Sequence, residues 1–282
     1  MSITIRNHGR VGVEILGVDL GKALAAEEIE AIRQVFEQHG VVFFRDQALS
    51  EEQHIAFARL WGGININRFF AAHPRYPEIA LVLKEPHQQD NIGGGWHTDH
   101  SYDAIPALGS VLVARELPPS GGATAFASMY AAHDGLPARL RARIEGLNAV
   151  HSARHIFGSY AREEIKDSDT RAGRIGNAAL ADVLEDVVHP IVLRHPLSGK
   201  LAIFVNPAFT TRIVGLEEEE SRDLLAEIYA HCLSPGFIED FEWQPGSVAF
   251  WDNRATWHFA RNDYPGYRRE MHRITIEGAP LG

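Results

Sequence analysis

Cysteine is almost missing from this chain of 282 residues, where Cys232 stands alone. A single thiol excludes an internal disulfide and fits a reducing compartment. Cys232 itself reads as a small apolar side chain buried on a helix. Also lacking is any apolar run long enough to span a bilayer, and the opening Met-Ser-Ile-Thr-Ile-Arg has no basic and apolar leader of the secretory kind. A cytoplasmic protein without a membrane partner is expected. Basic residues are the minority, 27 Lys and Arg against 37 Asp and Glu, giving a formal net charge of -10. With no offsetting basic run, this argues against a general nucleic-acid or anionic-membrane binder. An anionic substrate would need a local arginine cluster to overcome that field. Internal repeats, low-complexity tracts and strong linkers are missing too. One domain covering 1–282 is therefore expected, and the 45% hydrophobic content is ample for its core.

What is present reads as many short strands with helices around them. Residues 3–20 suggest short strands joined by a turn. From Ala26 to His39 the apolar Ile29, Ile32, Val35 and Phe36 share one face, acids lead and Gly40 follows, which predicts a helix. Val41–Phe44 is short and wholly apolar, the pattern of a buried strand. Ser50-Glu-Glu-Gln53 has capping-box spacing and predicts a helix to about Leu60, ended by Gly62 and Gly63. Further strands are expected at 79–83, 109–114, 124–126, 189–194, 201–206, 247–251 and 273–277. Helices are expected over 129–144, reopened by Pro137, and over 217–231. The weakly patterned stretch 159–186 is long enough to be a lid over a site. Together these elements predict a mainly β fold with flanking helices, a jelly roll with helical decoration.

The segment Gly93-Gly-Gly-Trp-His-Thr-Asp-His-Ser-Tyr102 places an imidazole and a carboxylate two positions apart after a glycine run. On a strand, residues i and i+2 share a face, so His97 and Asp99 could converge on one metal ion while Thr98 points away. The glycines let the backbone pass close to a ligand. An isolated His-x-Asp is more often an ordinary polar strand end, and a distant third donor is needed. Phe250-Trp-Asp-Asn-Arg-Ala-Thr-Trp-His258 supplies one in His258. Two imidazoles and one carboxylate leave three positions of an octahedron open, the arrangement that suits ferrous iron in oxygenases. Zinc accepts the same donors. The arginines argue against it: Arg269 and Arg273, four residues apart on a strand, share a face, and each presents a planar fork matched to a carboxylate or sulfonate.

The combination Trp96-His-Thr-Asp99, Glu116-Leu-Pro-Pro-Ser-Gly-Gly-Ala-Thr124, Phe204-Val-Asn-Pro-Ala-Phe-Thr-Thr-Arg212, Trp251-Asp-Asn-Arg254, His258 and Arg269-Glu-Met-His-Arg273 resembles the taurine dioxygenase family of iron(II)- and 2-oxoglutarate-dependent oxygenases. The resemblance runs from the N-terminal strands to near the C-terminus. It implies a double-stranded β-helix, the cupin-like jelly roll, with His97, Asp99 and His258 on iron. By the same carry-over Thr124 and Arg269 would hold the distal carboxylate of 2-oxoglutarate, and Arg273 would lie near the substrate's acidic group. Where taurine dioxygenase uses a histidine and an asparagine around taurine, this chain has Asn67 and Gly93, so the taurine pocket is not reproduced. Val150-His-Ser-Ala-Arg-His-Ile-Phe157 is similar to family members that open aryloxyalkanoate herbicides. Phe70, Phe157 and Phe209 are candidates for an apolar cavity beside the anion anchor, although each alone reads equally as core. Family relatives assemble as dimers or higher oligomers, so a homo-dimer or tetramer is part of the expectation.

The implied reaction consumes 2-oxoglutarate and O2, hydroxylates a C–H bond of a small organic acid, and releases succinate and CO2. Candidate substrates are a sulfonate, a sulfate ester or an aryloxyalkanoate, and hydroxylation beside oxygen, sulfur or nitrogen would fragment the product. Asp99 retains the carboxylate whose absence would make room for halide, which disfavours a halogenase. Two rivals from other classes are a non-redox barrel that binds a small acid, which leaves the three ligands unexplained, and a zinc hydrolase.

Overall fold

The computed structural model describes residues 3–159 and 178–281. Among them an eight-stranded sheet dominates, built in the order Thr4–Asn7, Val13–Leu16, Val41–Phe44, Val248–Asp252, Gly109–Glu116, Arg269–Ile276, with Ile64–Asn65 and Ala80–Lys84 both pairing with the last of these. Only the Val13–Leu16 and Val41–Phe44 pair is parallel among these neighbours. A second antiparallel sheet of Ile238–Phe241, Thr124–Ser128 and Thr256–Ala260 faces it. A third, Thr210–Ile213, Asn148–His151 and Val187–Pro190, and the hairpin Val192–Arg194 with Leu201–Ile203, extend the β part. This is the jelly roll with helical decoration.

Strand alternation explains why the large sheet reads as buried runs. Val42, Phe44, Val111, Val113, Val248 and Phe250 point outward into a cluster with Ile32, Val35 and Phe36 of the helix Ala26–His39 and Ile55 and Phe57 of the helix Glu51–Arg59. Their neighbours Val41, Phe43, Leu112, Ala249, Trp251 and Met271 point inward, against Phe126 and Phe241 of the second sheet. Phe36 stacks on Phe250 at 4.0 Å on one side, and Phe43 on Phe241 at 4.1 Å on the other. The inner layer between the sheets is where the polar site is built.

Several expected elements occur with their expected ends. The helix Ala26–His39 is closed by Gly40 at φ 72, a left-handed conformation that Gly adopts without steric cost. In the Ser50 box, Gln53 donates its backbone N–H to Ser50 Oγ while Ser50 N–H donates back to Gln53 Oε1 at 2.7 Å. The helical run 129–144 falls into Met129–Asp134 and Ala138–Ile144, the second opened by Pro137 as expected. Others differ. The strand expected at 189–194 is two strands broken after Pro190, and the last strand begins at Arg269 rather than 273. Cys232 is buried on the helix Glu218–Cys232 as expected. Of the candidate lid 159–186, residues 160–177 lie outside the described residues. At its ends Ser159 bonds Asp182, and the helix Ala178–Val183 lies against Arg154–Phe157.

Candidate active site

Asp99 stands between two imidazoles on the inner face of the barrel. Its Oδ1 is 3.8 Å from His97 Nε2, and its Oδ2 is 3.7 Å from His258 Nε2. One ligand atom from each of the three lies within 4.8 Å of the others, and all three residues are buried. The two histidines are placed by backbone, since His97 N–H donates to His258 O at 3.2 Å and His258 N–H to His97 O at 2.8 Å. That single bridge joins the loop after Gly95 to the strand Thr256–Ala260. Just before it, Ala260 N–H donates to Gly93 O. Gly93 sits at φ 84, where a side chain would be strained and its Cβ would come 3.6 Å from the His97 ring.

The expectation that 97–99 is a strand is corrected here. Only His97 bridges; the chain then turns, and His100 adopts φ 59, a left-handed conformation unusual for a side chain. His97 and Asp99 converge through this turn rather than through a strand's two-residue repeat. Thr98 does point away, donating its hydroxyl to Asn253 O. Beneath the turn, Asp252 takes a bidentate pair from Arg254 and lies 3.0 Å from His195 Nε2, all three buried. Trp251 packs its ring 4.7 Å from that of His258.

The electrostatics set protonation states that suit a divalent cation. Burial pushes the Asp99 carboxyl up, but the charges of Arg273, His258 and His97 outweigh it and hold the group well below the usual carboxylate range. Burial and the adjacent His97 push His258 well below its ordinary value, against the pull of Asp99. His97 Nδ1 lies 2.7 Å from Gly95 O, so a proton there leaves Nε2 with its lone pair toward the other two. Neutral imidazoles and an ionised carboxylate are the states in which these groups bind metal.

Arg269 and Arg273 share one face of the strand Arg269–Ile276, and both line the same cavity as the triad. Arg273 Nη1 donates to both Asp99 oxygens, at 3.1 and 2.9 Å, while its Nε and Nη2 have no acceptor among the described residues. Its guanidinium lies 4.4 Å from the centre of the Phe70 ring. Arg269 is 3% exposed, and its Nε and Nη2 have no acceptor among the described residues. Burial lowers its pKa, partly opposed by Tyr264 and Asp263. A buried fork with N–H groups to spare, next to Thr124 on the cavity wall, fits an anion.

Asn67, Phe70, Phe157 and Phe209 all line the cavity. Asn67 Oδ1 is already engaged, accepting from the backbone of Phe69 and Phe70, and so shapes the loop that presents Phe70. Phe69, which does not line the cavity, stacks on Phe157 at 4.2 Å. Sequence reasoning missed Tyr102 and Trp251, which line the cavity, and Trp243, which donates to Thr124 Oγ1 at 2.9 Å. Tyr102 follows Asp99 closely enough to have been considered; nothing in the letters ties Trp243 to a residue 119 positions away. A second cluster, Glu51, His73 and His272, also brings ligand atoms within 4.8 Å. There Arg115 Nε donates to His272 Nδ1 at 3.1 Å and Arg115 Nη2 is 3.8 Å from Glu51, so a guanidinium already supplies the positive charge.

Comparison with known proteins follows the same lines. Residues 4–275 match the family model described as taurine catabolism dioxygenase TauD, TfdA family. An alpha-ketoglutarate-dependent sulfate ester dioxygenase of Pseudomonas putida is 33% identical, covering 97% of this chain and 89% of that protein. An alpha-ketoglutarate-dependent 2,4-dichlorophenoxyacetate dioxygenase of Cupriavidus pinatubonensis is 32% identical over 94% of this chain and 93% of its own. The crystal structure of AAD-2 in complex with Mn(II) and N-oxalylglycine superposes with a TM-score of 0.78 at 28% identity, covering 100% of both chains.

Proposed function

The chain belongs to the taurine catabolism dioxygenase (TauD, TfdA) family, and from that premise we propose that its cavity binds a small organic acid with an apolar body and hydroxylates one of its C–H bonds. The protein is an iron(II)- and 2-oxoglutarate-dependent dioxygenase, an oxidoreductase that also uses O2. In the proposed assignment His97, Asp99 and His258 hold the metal, Thr124 and Arg269 hold the distal carboxylate of 2-oxoglutarate, and Arg273 faces the substrate's acidic group. The observation that carries this reading is Arg269, a buried cation with N–H groups unanswered among the described residues, on the same wall as a His, Asp, His triad.

Iron bound there supplies the redox chemistry that couples loss of CO2 from 2-oxoglutarate to insertion of oxygen into the substrate, with succinate and the hydroxylated acid as products. The chain's own residues do the rest. Arg269 replaces the water that a free carboxylate would keep, and its planar fork fixes the co-substrate's orientation. Arg273 holds Asp99 through Nη1 and leaves Nε and Nη2 for a second anion, so one side chain sets both a ligand's orientation and the substrate's approach. Phe70, Phe157 and Phe209 make the cavity apolar, which excludes water around the reacting carbon. Sulfate esters, sulfonates and aryloxyalkanoates all pair a compact anion with an apolar body, and the relatives' names include two of these classes. Cytoplasmic location and a homo-dimeric or tetrameric assembly complete the proposal.

The test is succinate release from 2-oxoglutarate in the presence of Fe(II), O2 and a panel of alkyl sulfates, alkyl and aryl sulfonates, and aryloxyalkanoates. At least one class should stimulate succinate formation with matching loss of the added acid. If none does, while succinate still forms slowly without them, the organic-acid assignment is wrong.

A further inference from the structure

We propose that Trp243 is a positioning residue for the co-substrate: its indole N–H fixes the Thr124 hydroxyl as a donor toward the distal carboxylate of 2-oxoglutarate. This deepens the assignment of Thr124 and Arg269 made above and rests on it.

The argument begins with what each group can do. An indole nitrogen only donates, whereas a threonine hydroxyl has one hydrogen and two lone pairs and can serve either way. A hydroxyl without such a partner rotates freely until an anion turns its hydrogen inward, and that ordering costs affinity. Trp243 Nε1 lies 2.9 Å from Thr124 Oγ1, and in that contact the threonine oxygen must accept. No other hydrogen bond is made by the Thr124 hydroxyl among the described residues, so its hydrogen remains for the cavity that Thr124 lines together with Arg269.

The same indole also touches the other anion-binding group. The Arg269 guanidinium carbon lies 6.0 Å from the centre of the Trp243 ring, at the limit of a cation–π contact. Trp243 is held in turn by Phe241, whose ring meets it edge-on at 4.9 Å and whose backbone pairs with Thr124 across the second sheet. On the far side, Gly122 at φ 73 lets the chain pass so close that a Cβ would come 3.3 Å from Arg269 Cδ and Nε. One tryptophan thus backs both groups that would meet the distal carboxylate, one by a directed bond and one by ring contact. Its effect belongs to the binding of a dicarboxylate and not to the chemistry at the metal end.

The experiment is calorimetric titration of Mn(II)-loaded protein with 2-oxoglutarate for the wild type, W243F, T124V and the double variant, alongside steady-state kinetics with iron. Phenylalanine keeps most of the ring packing and removes the N–H. W243F should raise the Kd for 2-oxoglutarate about five- to ten-fold, the scale of one ordinary hydrogen bond. It should raise KM in parallel and change kcat at saturating co-substrate by less than about two-fold. The double variant should bind no more weakly than T124V, because without the hydroxyl there is nothing for the indole to orient. Should W243F fail to fold, benzothienylalanine at 243 removes the N–H within the same shape and should give the same shift. Unchanged affinity in the N–H-deleted protein, with T124V impaired, overturns the inference and leaves the assignment of Thr124 standing. Fold-changes that multiply in the double variant overturn it as well, since the indole would then act independently of the hydroxyl. If T124V itself binds 2-oxoglutarate as tightly as wild type, the assignment and the inference fall together.

Discussion

Asp99 is asked to do more than any other residue, facing both histidines while accepting two hydrogen bonds from Arg273. Asp99→Ala should abolish turnover and weaken metal binding at least about ten-fold, because ligand loss and disturbed outer contacts each act on affinity. Equilibrium dialysis against Mn(II) reads the second effect without any turnover. Arg269→Ala should leave metal binding intact and raise the 2-oxoglutarate requirement by about 2 kcal/mol or more, since a buried charged pair is lost. Arg273→Ala should weaken the substrate more than the co-substrate; the reverse order in KM values would exchange the roles of the two arginines. His97 with Asp99, and Arg269 with Arg273, were legible in the sequence because few side chains bind metal or grip a carboxylate and their spacings are local, and His258 was legible as the distant donor that the first pair required. Trp243 was not. It sits between Glu242 and Gln244 with no motif around it, and its meaning depends on Thr124 arriving from the next strand of the sheet.

At the scale of the element, legibility followed the breakers and caps. The helix Ala26–His39 and the strand Val41–Phe44 are separated by one glycine, and the helix Glu51–Arg59 begins in a reciprocal cap, so neighbours alone fixed their ends. The strands Thr210–Ile213 and Ile238–Phe241 carry polar residues on exposed or half-exposed positions and lack a clear apolar run, and they went unread. The turn after Asp99 was misread as strand because a two-residue spacing is shared by strand faces and by a turn that is pulled into place from outside. What pulls it is the partner segment: Thr98 bonds Asn253 O, and Asn253 lies between the buried, paired Asp252 and Arg254. Asp252→Ala would leave Arg254 and His195 buried without their acceptor. It should cost about 3–5 kcal/mol in denaturant unfolding, whereas Ser50→Ala in the cap should cost only about 1 kcal/mol. Equal costs would mean that the buried pair is not what holds the turn.

For the whole molecule, the letters showed a jelly roll by strand count and by family resemblance, but not how the sheets close, because pairing between residues such as Val41 and Trp251 or Ala114 and Met271 leaves no local mark. Among the described residues no helix is long and apolar enough to cross a membrane. Global stability should be acid-sensitive. Burial, with Arg115 nearby, lowers His54 to about 3, and burial, with His189 nearby, lowers His151 to about 3. Both folded values lie below the unfolded value near 6.5, so the unfolded chain takes up the protons. Their contribution is complete above that value and is lost as pH falls toward 3, at about 1.4 kcal/mol per pH unit for each group. Urea unfolding at successive pH values should show this slope, and replacing both histidines by leucine should flatten it; an unchanged slope would place the acid sensitivity elsewhere. The central claim is that His97, Asp99 and His258 hold one metal beside an anion site for 2-oxoglutarate, and anaerobic addition of Fe(II) followed by 2-oxoglutarate measures it most directly. The wild type should develop a visible charge-transfer absorption band that is absent from His258→Ala; a band that persists in the variant, or never forms in the wild type, would contradict the account.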